Sequence, residues 1–304
     1  MIYVLQRLVQ GVLVMLGATT IVFALTFLSG DPVSALAPLD LAPEERAEFR
    51  QRMGLDRPIP VQYVDFLSRA VQGDFGDSYR QRRPAMEIVL ERFPSTLRVA
   101  SAAVLFALLV SIPLGTLAAM FHDRWVDLAA RLFALAGQSI PGFLLGIVLI
   151  LVFAVELRWL PSSGSEGPQS IVLPAVTVGA FSAAVLTRLL RSSLLEVLGQ
   201  DYVRTAYAKG LRHRSVLFGH ALKNAALPFT TMLGLQVGFL LSAAVVVETI
   251  FAYPGMGRLA VEAIGGKDVP VIQAFVIVAA GIVVVVNLVV DLVYTRLDPR
   301  IRLS

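Results

Sequence analysis

The chain has 304 residues, of which 56% are hydrophobic and 16% are charged, and its formal net charge is +4 at pH 7. A soluble domain usually carries about 25% charged residues, so the composition argues against an ordinary water-soluble enzyme. The absence of cysteine excludes disulfides and thiolate metal sites on this chain. The positive charge requires no nucleic acid, because basic loops beside anionic lipid account for it.

Long apolar runs predict helices that cross a membrane. A helix needs about 20 apolar residues to cross the hydrocarbon core, and the sequence lacks the alternation that is typical of a barrel. The predicted spans are at about residues 8–28, 99–121, 132–155, 171–190, 225–247 and 271–290. The first run is too long for the core of a signal peptide, so we expect it to be retained. The sequence therefore predicts an all-α polytopic membrane protein with six spans.

Basic residues in short loops predict the orientation. With the N-terminus inside, the cytoplasmic parts carry most of them: Arg7, Arg124, Arg131, Arg188, Arg191, Arg204, Lys209, Arg212, Arg214, Lys223, Arg296, Arg300 and Arg302. The short outer loops carry Arg158, Arg258 and Lys267. The outer segment 29–96 does not decide the orientation, because long loops are translocated largely regardless of charge. Both termini are predicted to be cytoplasmic.

The outer segment 29–96 is predicted to be largely helical. Residues 41–56 favour a first helix, with Pro43 in its first turn and Gly54 after its last. A second helix follows and ends at Gly73. Its predicted apolar face consists of Val64, Leu67 and Val71. Two interpretations stay open: a cap packed over the membrane helices, and a rim on which an external partner docks.

The sequence contains no constellation that predicts catalysis or metal binding. His122, His213 and His220 lie at cytoplasmic edges, and none has a partner at zinc-ligand spacing. No nucleophile elbow and no phosphate-binding P-loop occur. We therefore expect no catalytic residue, no metal ligand and no cofactor on this chain.

A few polar residues fall at the depth of the spans. These are Gln138, Ser139, Gln236 and Asn287. Such side chains face a bundle interior or a water-filled path, or they bond neighbouring helices, and both alternatives stay open. Pro141 and Gly142 predict a kink in the third span.

Two acidic residues lie close to the predicted membrane surfaces. Glu248 ends the fifth span, and Asp291 shares a face of the sixth with Asn287. Their position favours structural anchoring or gating over proton transfer, and without midplane acids an ion-coupled carrier is disfavoured. Pro254 and Gly255 break the chain after the fifth span, and a short helix is predicted before the sixth.

The basic loop 191–224 separates two apolar runs. It reads as a helix capped by Asp201, a bend at Gly210, a second helix from about Ser215, and Pro228 in the first turn of the next span. A basic hairpin can lie on lipid headgroups, but that needs a strong apolar face. The alanine-rich surface of the first helix favours insertion into a protein cleft instead.

The stretch "DYVRTAYAKGL" with "HALKNAALP" resembles the cytoplasmic loop signature of ABC-importer permeases. That signature has Glu-Ala-Ala, three further residues and then Gly, and here Arg204, Thr205, Ala206 and Gly210 occupy those places. Arg204 stands where the signature has Glu, and in this respect the chain resembles the peptide/nickel branch of the family, where such a variant is usual. Other segments agree in order: "GDPV" at Gly30, "GLDRPIPVQY" at Gly54, "GDFGDS" at Gly73, "RFPSTL" at Arg92, "LRSSLLEVL" at Leu190, "VVETIFAYPGMG" at Val246 and "NLVVDLVYTRLDPR" at Asn287.

The resemblance implies a type I ABC importer permease in a bacterial or archaeal plasma membrane. It implies a second, related permease as partner, two cytoplasmic ATPase subunits (or one fused) that bind ATP and Mg²⁺, and an external substrate-binding protein. The loop at residues 201–222 would couple the chain to an ATPase. The residues implied in that contact are Asp201, Tyr202, Arg204, Thr205, Ala206, Lys209, Gly210 and Leu211.

Members of this branch handle di- and oligopeptides, nickel, and small solutes such as glutathione. A nickel path would favour histidine or cysteine along the spans. Histidine is confined to the inner edge and cysteine is absent. A peptide substrate is therefore the expectation, with nickel and glutathione as alternatives.

Overall fold

The computed structural model describes residues 2–28, 48, 51 and 56–297. Within that part the chain is helical, with a single isolated bridge between Asp77 and Pro84. The predicted helix at 41–56 and the motif at Gly30 lie outside the described residues, apart from positions 48, 51 and 56. The all-α fold class is confirmed.

The helices follow one another along the chain, and short π- or 3₁₀-helical turns extend some of them. They are α1 (Ile2–Leu28), α2 (Ile59–Val71), α3 (Ala85–Met120), α4 (Trp125–Ser139), α5 (Gly142–Leu149, continued by a π-helix Ile150–Glu156), a 3₁₀-helix (Pro168–Ile171), α6 (Val172–Leu198), α7 (Asp201–Ala208), α8 (His213–Val216, continued by a π-helix Leu217–Ala221), α9 (Leu222–Ile250), α10 (Met256–Gly265) and α11 (Val269–Leu297).

Three helical segments of the described chain are long and apolar enough to cross a membrane: Ala85–Met120, Pro168–Leu198 and Val269–Val290. The number rises to five if two bent segments each count as one span. The apolar stretch of α1, Val9–Ala24, is shorter. The structure thus supports a polytopic membrane protein, and the count of six spans stays a prediction. Pro228, expected in the first turn of a span, lies inside α9, because that helix already begins at Leu222.

The third predicted span, 132–155, is not one continuous helix. It consists of α4 and α5, which meet at an angle of 106°. Ile140 is extended, with φ −80° and ψ 121°, and Pro141 precedes the first residue of α5. A proline disfavours the helical conformation of the residue before it and cannot donate a helical hydrogen bond. The predicted kink at Pro141 and Gly142 is therefore a full break.

The structure divides into two compact units, Met1–Pro94 with Arg258–Val285, and Ser95–Gly257 with Val286–Ser304. In the first unit, aromatic rings join α1 to α2: Phe23 stacks on Phe66 at 5.6 Å between ring centroids. Phe66 is buried, whereas Val64 and Val71 are exposed. The face of α2 predicted from Val64, Leu67 and Val71 is therefore not the packed face, because the larger aromatic side chains take that place.

Helix α6 is the central element of the second unit. Glycines let its backbone approach those of its neighbours: a Cβ at Gly179 would lie 2.7 Å from the carbonyl oxygen of Ala103 in α3. A Cβ at Gly137 of α4 would lie 2.7 Å from the Cβ of Ala184. Small residues at helix contacts are typical of membrane bundles, where close van der Waals packing drives association.

Candidate functional site

Helices α7 and α8 form a hairpin at the end of α6, and Gly210 makes its bend. The φ of Gly210 is +80°, a left-handed conformation that costs other residues about 1–2 kcal/mol. The amide of Leu211 donates to the carbonyl of Ala206 at 3.3 Å and so closes α7. A Cβ at Gly210 would meet nothing within 4 Å. The backbone conformation, not lack of space, thus selects glycine at the predicted bend.

The hairpin has a small core of its own. Val203, Ala206 and Val216 are buried against one another, and Val197 and Leu198 of α6 pack on them. Ala206, predicted to seat α7 in a partner cleft, therefore turns its methyl group toward the hairpin interior. A bulky residue at Ala206 would disrupt this core before it met any partner.

Two polar contacts hold the hairpin in shape, and neither was anticipated from the sequence. The phenol oxygen of Tyr207 lies 2.7 Å from Nδ1 of His213, across the bend. At the base, Nδ2 of Asn224 donates to the phenol oxygen of Tyr202 at 2.8 Å. Residues separated by a glycine bend can meet only after the turn forms, so helical spacing gave no signal for either pair.

Asp201 is the first residue of α7 and not its cap, because Gln200 precedes it in an extended conformation without a side-chain cap bond. Its carboxylate lies 3.4 Å from Nη1 of Arg204, but both side chains are largely exposed. Such surface pairs contribute little to stability. The exposed surface of the hairpin includes most of the predicted contact residues: Asp201, Tyr202, Arg204, Thr205, Lys209, Gly210 and Leu211.

A buried ion pair joins α4 to the second half of α6, the helix that precedes the hairpin. The carboxylate of Asp127 in α4 accepts two hydrogen bonds from the guanidinium of Arg191 in α6, at 2.5 and 2.8 Å. Asp127 is completely buried and also accepts from the backbone amide of Asp123 at 3.1 Å. His122, Asp123 and Asp127 offer ligand atoms within 4.8 Å of one another. The guanidinium of Arg191 is already bonded to the carboxylate of Asp127. We therefore interpret this cluster of three residues as part of an ion pair and not as a metal site.

The polar residues predicted for a path differ in their surroundings. Gln236 is buried and its Oε1 accepts from the Ser182 hydroxyl at 2.8 Å, which is a bond between α9 and α6. Gln138 is half-buried and donates to the Ala134 carbonyl of its own helix at 2.9 Å. Ser139 and Asn287 are exposed in this chain. Gln236 thus serves as a helix-to-helix bond, while Gln138 and Ser139 stand at the break between α4 and α5.

The turn after α9 is built around Glu248. Its buried Oε2 accepts from the amide of Gly257 at 2.7 Å, and its carbonyl accepts from the amide of Tyr253 at 2.8 Å. A Cβ at Gly255 would overlap the carboxyl group of Glu248, so only glycine fits there. This geometry is an anchor that folds the chain after Pro254. The side chain of Asp291 lies outside the described residues.

In the first unit, Asp268 anchors the loop before α3. Its carboxylate is 3% exposed and accepts from the Ser78 hydroxyl at 2.5 Å and from the Tyr79 amide at 3.1 Å. Burial raises the pKa of Tyr79 to about 12, and the charge of Asp268 adds to this effect. Sequence reasoning missed this contact because 190 positions separate Ser78 from Asp268.

Two family models cover nearly the whole chain. The model "Binding-protein-dependent transport system inner membrane component" matches residues 111–303, and its N-terminal companion matches residues 1–100. The glutathione transport system permease protein GsiC of Escherichia coli (strain K12) is 40% identical over 301 residues, which are 99% of this chain and 98% of that protein. GsiC of Salmonella typhimurium (strain LT2) shows the same identity and coverage.

Solved transporters share the fold. The inward-facing methionine ABC transporter MetNI is similar with a TM-score of 0.59 at 17% identity, over 70% of this chain and 97% of that one. An amino acid ABC transporter with histidines gives a TM-score of 0.52 at 15% identity, over 71% and 94%.

The chain is a membrane-embedded permease subunit of an ABC importer. It belongs to the family of binding-protein-dependent transport system inner membrane components, in the peptide/nickel-type branch. In this family the permease works with a partner permease and a substrate-binding protein, and the ATPase activity lies on separate subunits.

Proposed function

We propose that this permease forms half of a translocation path for short peptides and is driven through the α7–α8 hairpin. The hairpin inserts into a cleft of a cytoplasmic ATPase subunit, which holds ATP and Mg²⁺. A second, related permease forms the other half of the path, and an external binding protein delivers the peptide. Both termini of the chain lie in the cytoplasm.

The self-supporting hairpin is the observation that carries this proposal. Val203, Ala206 and Val216 form its own small core, and its bend is fixed by Gly210 and by the contact between Tyr207 and His213. Its exposed surface carries the basic Arg204 and Lys209 beside exposed aromatic and apolar side chains. A rigid projection of this kind transmits displacement when a ligand closes the partner that holds it. Its basic side chains suit an acidic cleft.

The relatives named for glutathione support a peptide-like substrate, because glutathione is itself a tripeptide. Nickel ions prefer imidazole and thiolate ligands. The chain has three histidines and no cysteine, and His213 and His220 lie in and beside the cytoplasmic hairpin. Glutathione is therefore the first compound to test, within the class of short peptides.

The coupling proposal is tested with the complete transporter reconstituted in lipid. The test variant is Arg204→Glu with Lys209→Glu, and the control is Arg214→Glu, an exposed basic residue of α8 outside the predicted contact set. ATP hydrolysis is measured with and without binding protein loaded with glutathione. We expect the test variant to lose at least tenfold of the stimulation while the complex still assembles, and the control to keep it. Equal stimulation in both variants would refute the coupling role.

The substrate proposal is tested by uptake. Proteoliposomes with the same complex are offered radiolabelled glutathione, trialanine or Ni²⁺. Accumulation of either peptide that requires ATP and binding protein supports the proposal, and accumulation of Ni²⁺ alone refutes it.

A further inference from the structure

A bidentate ion pair of the second unit involves the part of α6 that leads into the hairpin. Arg191 belongs to the last part of α6, which ends at Leu198 just before the hairpin begins. Its guanidinium forms a two-bond pair with Asp127 in the first turn of α4. Bidentate pairs of this kind fix the relative orientation of the two groups as well as their distance.

The third span, broken into α4 and α5, also contacts α6 at other positions, including two glycines. Further along α4, Gly137 contacts Ala184 of α6, and a Cβ at Gly137 would lie 2.7 Å from the Cβ of Ala184. Beyond the break, Gly146 of α5 abuts Thr177, with a Cβ position 3.2 Å from its methyl group. The glycine contacts are apolar and can slide, whereas the ion pair is directional and cannot shift without leaving a buried charge unpaired.

We propose that the Asp127–Arg191 pair is a positioning device that makes the broken span move with the hairpin. Displacement of the hairpin moves the end of α6, and the pair passes that displacement to α4. Helix α4 carries Gln138 and Ser139 to the break at Pro141, so the pair sets the access to this corner of the molecule. The inference rests on the proposed coupling function of the hairpin.

Other groups near the pair are less suited to this role. Nε of Arg131 lies 3.7 Å from Asp127 and its side chain is half-exposed, so it adds charge but little geometry. Nδ1 of His122 lies 3.1 Å from the exposed carboxylate of Asp123, on the surface. Arg131 therefore provides a matched control for Arg191.

The test uses the absence of cysteine in this chain. Ser139→Cys supplies a single thiol at the break, and the rate of its reaction with a fluorescent maleimide is read on the gel band of this chain. The complete transporter in nanodiscs is compared without nucleotide and after trapping with ATP and vanadate. We expect the two rates to differ at least threefold. Equal rates would show that the corner does not move and would overturn the inference.

The pair is then neutralised by Asp127→Asn, by Arg191→Gln and by both together. The double variant leaves no buried charge unpaired, so it keeps the test valid if a single variant fails to assemble. We expect the ratio of the two labelling rates to fall to about one in each variant. The double variant should lose no more of the ratio than either single variant, because the two residues act as a unit. Arg131→Gln should keep the ratio.

A neutral double variant that retains the full ratio would overturn the inference. The hairpin variant at Arg204 and Lys209 separates this outcome from failure of the coupling function. If that variant loses stimulation while the neutral pair keeps its ratio, only the positioning role is wrong. If the hairpin variant keeps full stimulation, the coupling function itself fails.

Discussion

Tyr207 and His213 face each other across the bend of the hairpin, with ring centroids 6.1 Å apart and an interplanar angle of 12°. The phenol oxygen and Nδ1 are also within hydrogen-bond distance, at 2.7 Å. One pair of side chains thus provides both stacking and a polar bond. This pair joins α7 to α8 next to the bend, in addition to the buried contact of Val203 and Ala206 with Val216.

We predict that Tyr207→Phe loosens the bend and leaves the base intact. The variant keeps the stacked ring and loses one exposed hydrogen bond, which contributes about 1 kcal/mol. Amide hydrogen exchange of residues 206–213 should accelerate about fivefold, with less change in residues 220–224. Tyr202→Phe, which removes the bond to Asn224, should accelerate exchange more in residues 220–224 than in residues 206–213. Identical exchange profiles for the two variants would contradict this division.

Gly210→Ala should destabilise the hairpin by about 1–2 kcal/mol through the backbone alone. Apart from its own chain neighbours, no atom lies within 4 Å of the added methyl group, so the cost comes from the local backbone conformation and not from overlap with another part of the fold. Gly219 is the control, since its Cβ position is also open and its φ is not left-handed. Gly219→Ala should be neutral or slightly stabilising, as alanine favours helix. Thermal unfolding and hydrogen exchange of the hairpin would measure both, and equal effects would exclude the backbone explanation.

Gly255→Ala should prevent normal assembly, because its methyl group would overlap the carboxyl group of Glu248. Overpacking at such a site costs about 3 kcal/mol. Glu248→Ala removes the overlapping atoms, so the double variant should be no less stable than Glu248→Ala alone. Gly238→Ala, at an open position of α9, is the control. The yield of folded permease on gel filtration and its melting temperature measure the effect. Strict additivity of the two substitutions would show that they do not share one site.

Tyr79 should make the protein sensitive to alkali. Its folded pKa is raised to about 12, and an unfolded tyrosine titrates near 10. The contribution of Tyr79 to stability is therefore complete below pH 10 and is lost as the pH rises from 10 to 12. Tyr79→Phe should reduce that alkaline loss, and Asp268→Asn should lower the pKa of Tyr79. Unfolding measured between about pH 9 and about pH 12 tests the first effect. Absorbance of tyrosinate at 295 nm against pH tests the second, and an unchanged titration in Tyr79→Phe would contradict the assignment.

The all-α class could be predicted because long apolar runs and helix-ending residues are recognisable from local sequence. Gly73 and Gly210, each predicted to end a helix, both adopt a left-handed φ. The break at Pro141 was underestimated, since a proline predicts a kink but not its angle. The prediction of the packed face of α2 was wrong, because spacing alone does not show whether Phe66 or Val64 packs against a neighbouring helix.

The candidate site was only partly accessible to sequence reasoning. The position of the hairpin followed from its charge and its glycine, and the family resemblance supplied its role. Ala206 packs inside the hairpin core, which its small size did not indicate, and its predicted contact with a partner stays a prediction. The pair of Asp127 and Arg191 joins residues 64 positions apart. No periodicity connects such residues, so only the packing of α4 on α6 brings them together.

The break between α4 and α5 has a consequence for the surroundings of the assembled protein. A helix that ends at Ser139 leaves its last carbonyl groups without partners in the same helix. Hydrocarbon offers no donor to them, and irregular backbone at that depth is tolerated only against protein or a water-filled cavity. The corner from Ser139 to Gly142 is exposed in the single chain. In the membrane it must therefore be turned away from lipid, toward a second subunit or toward water.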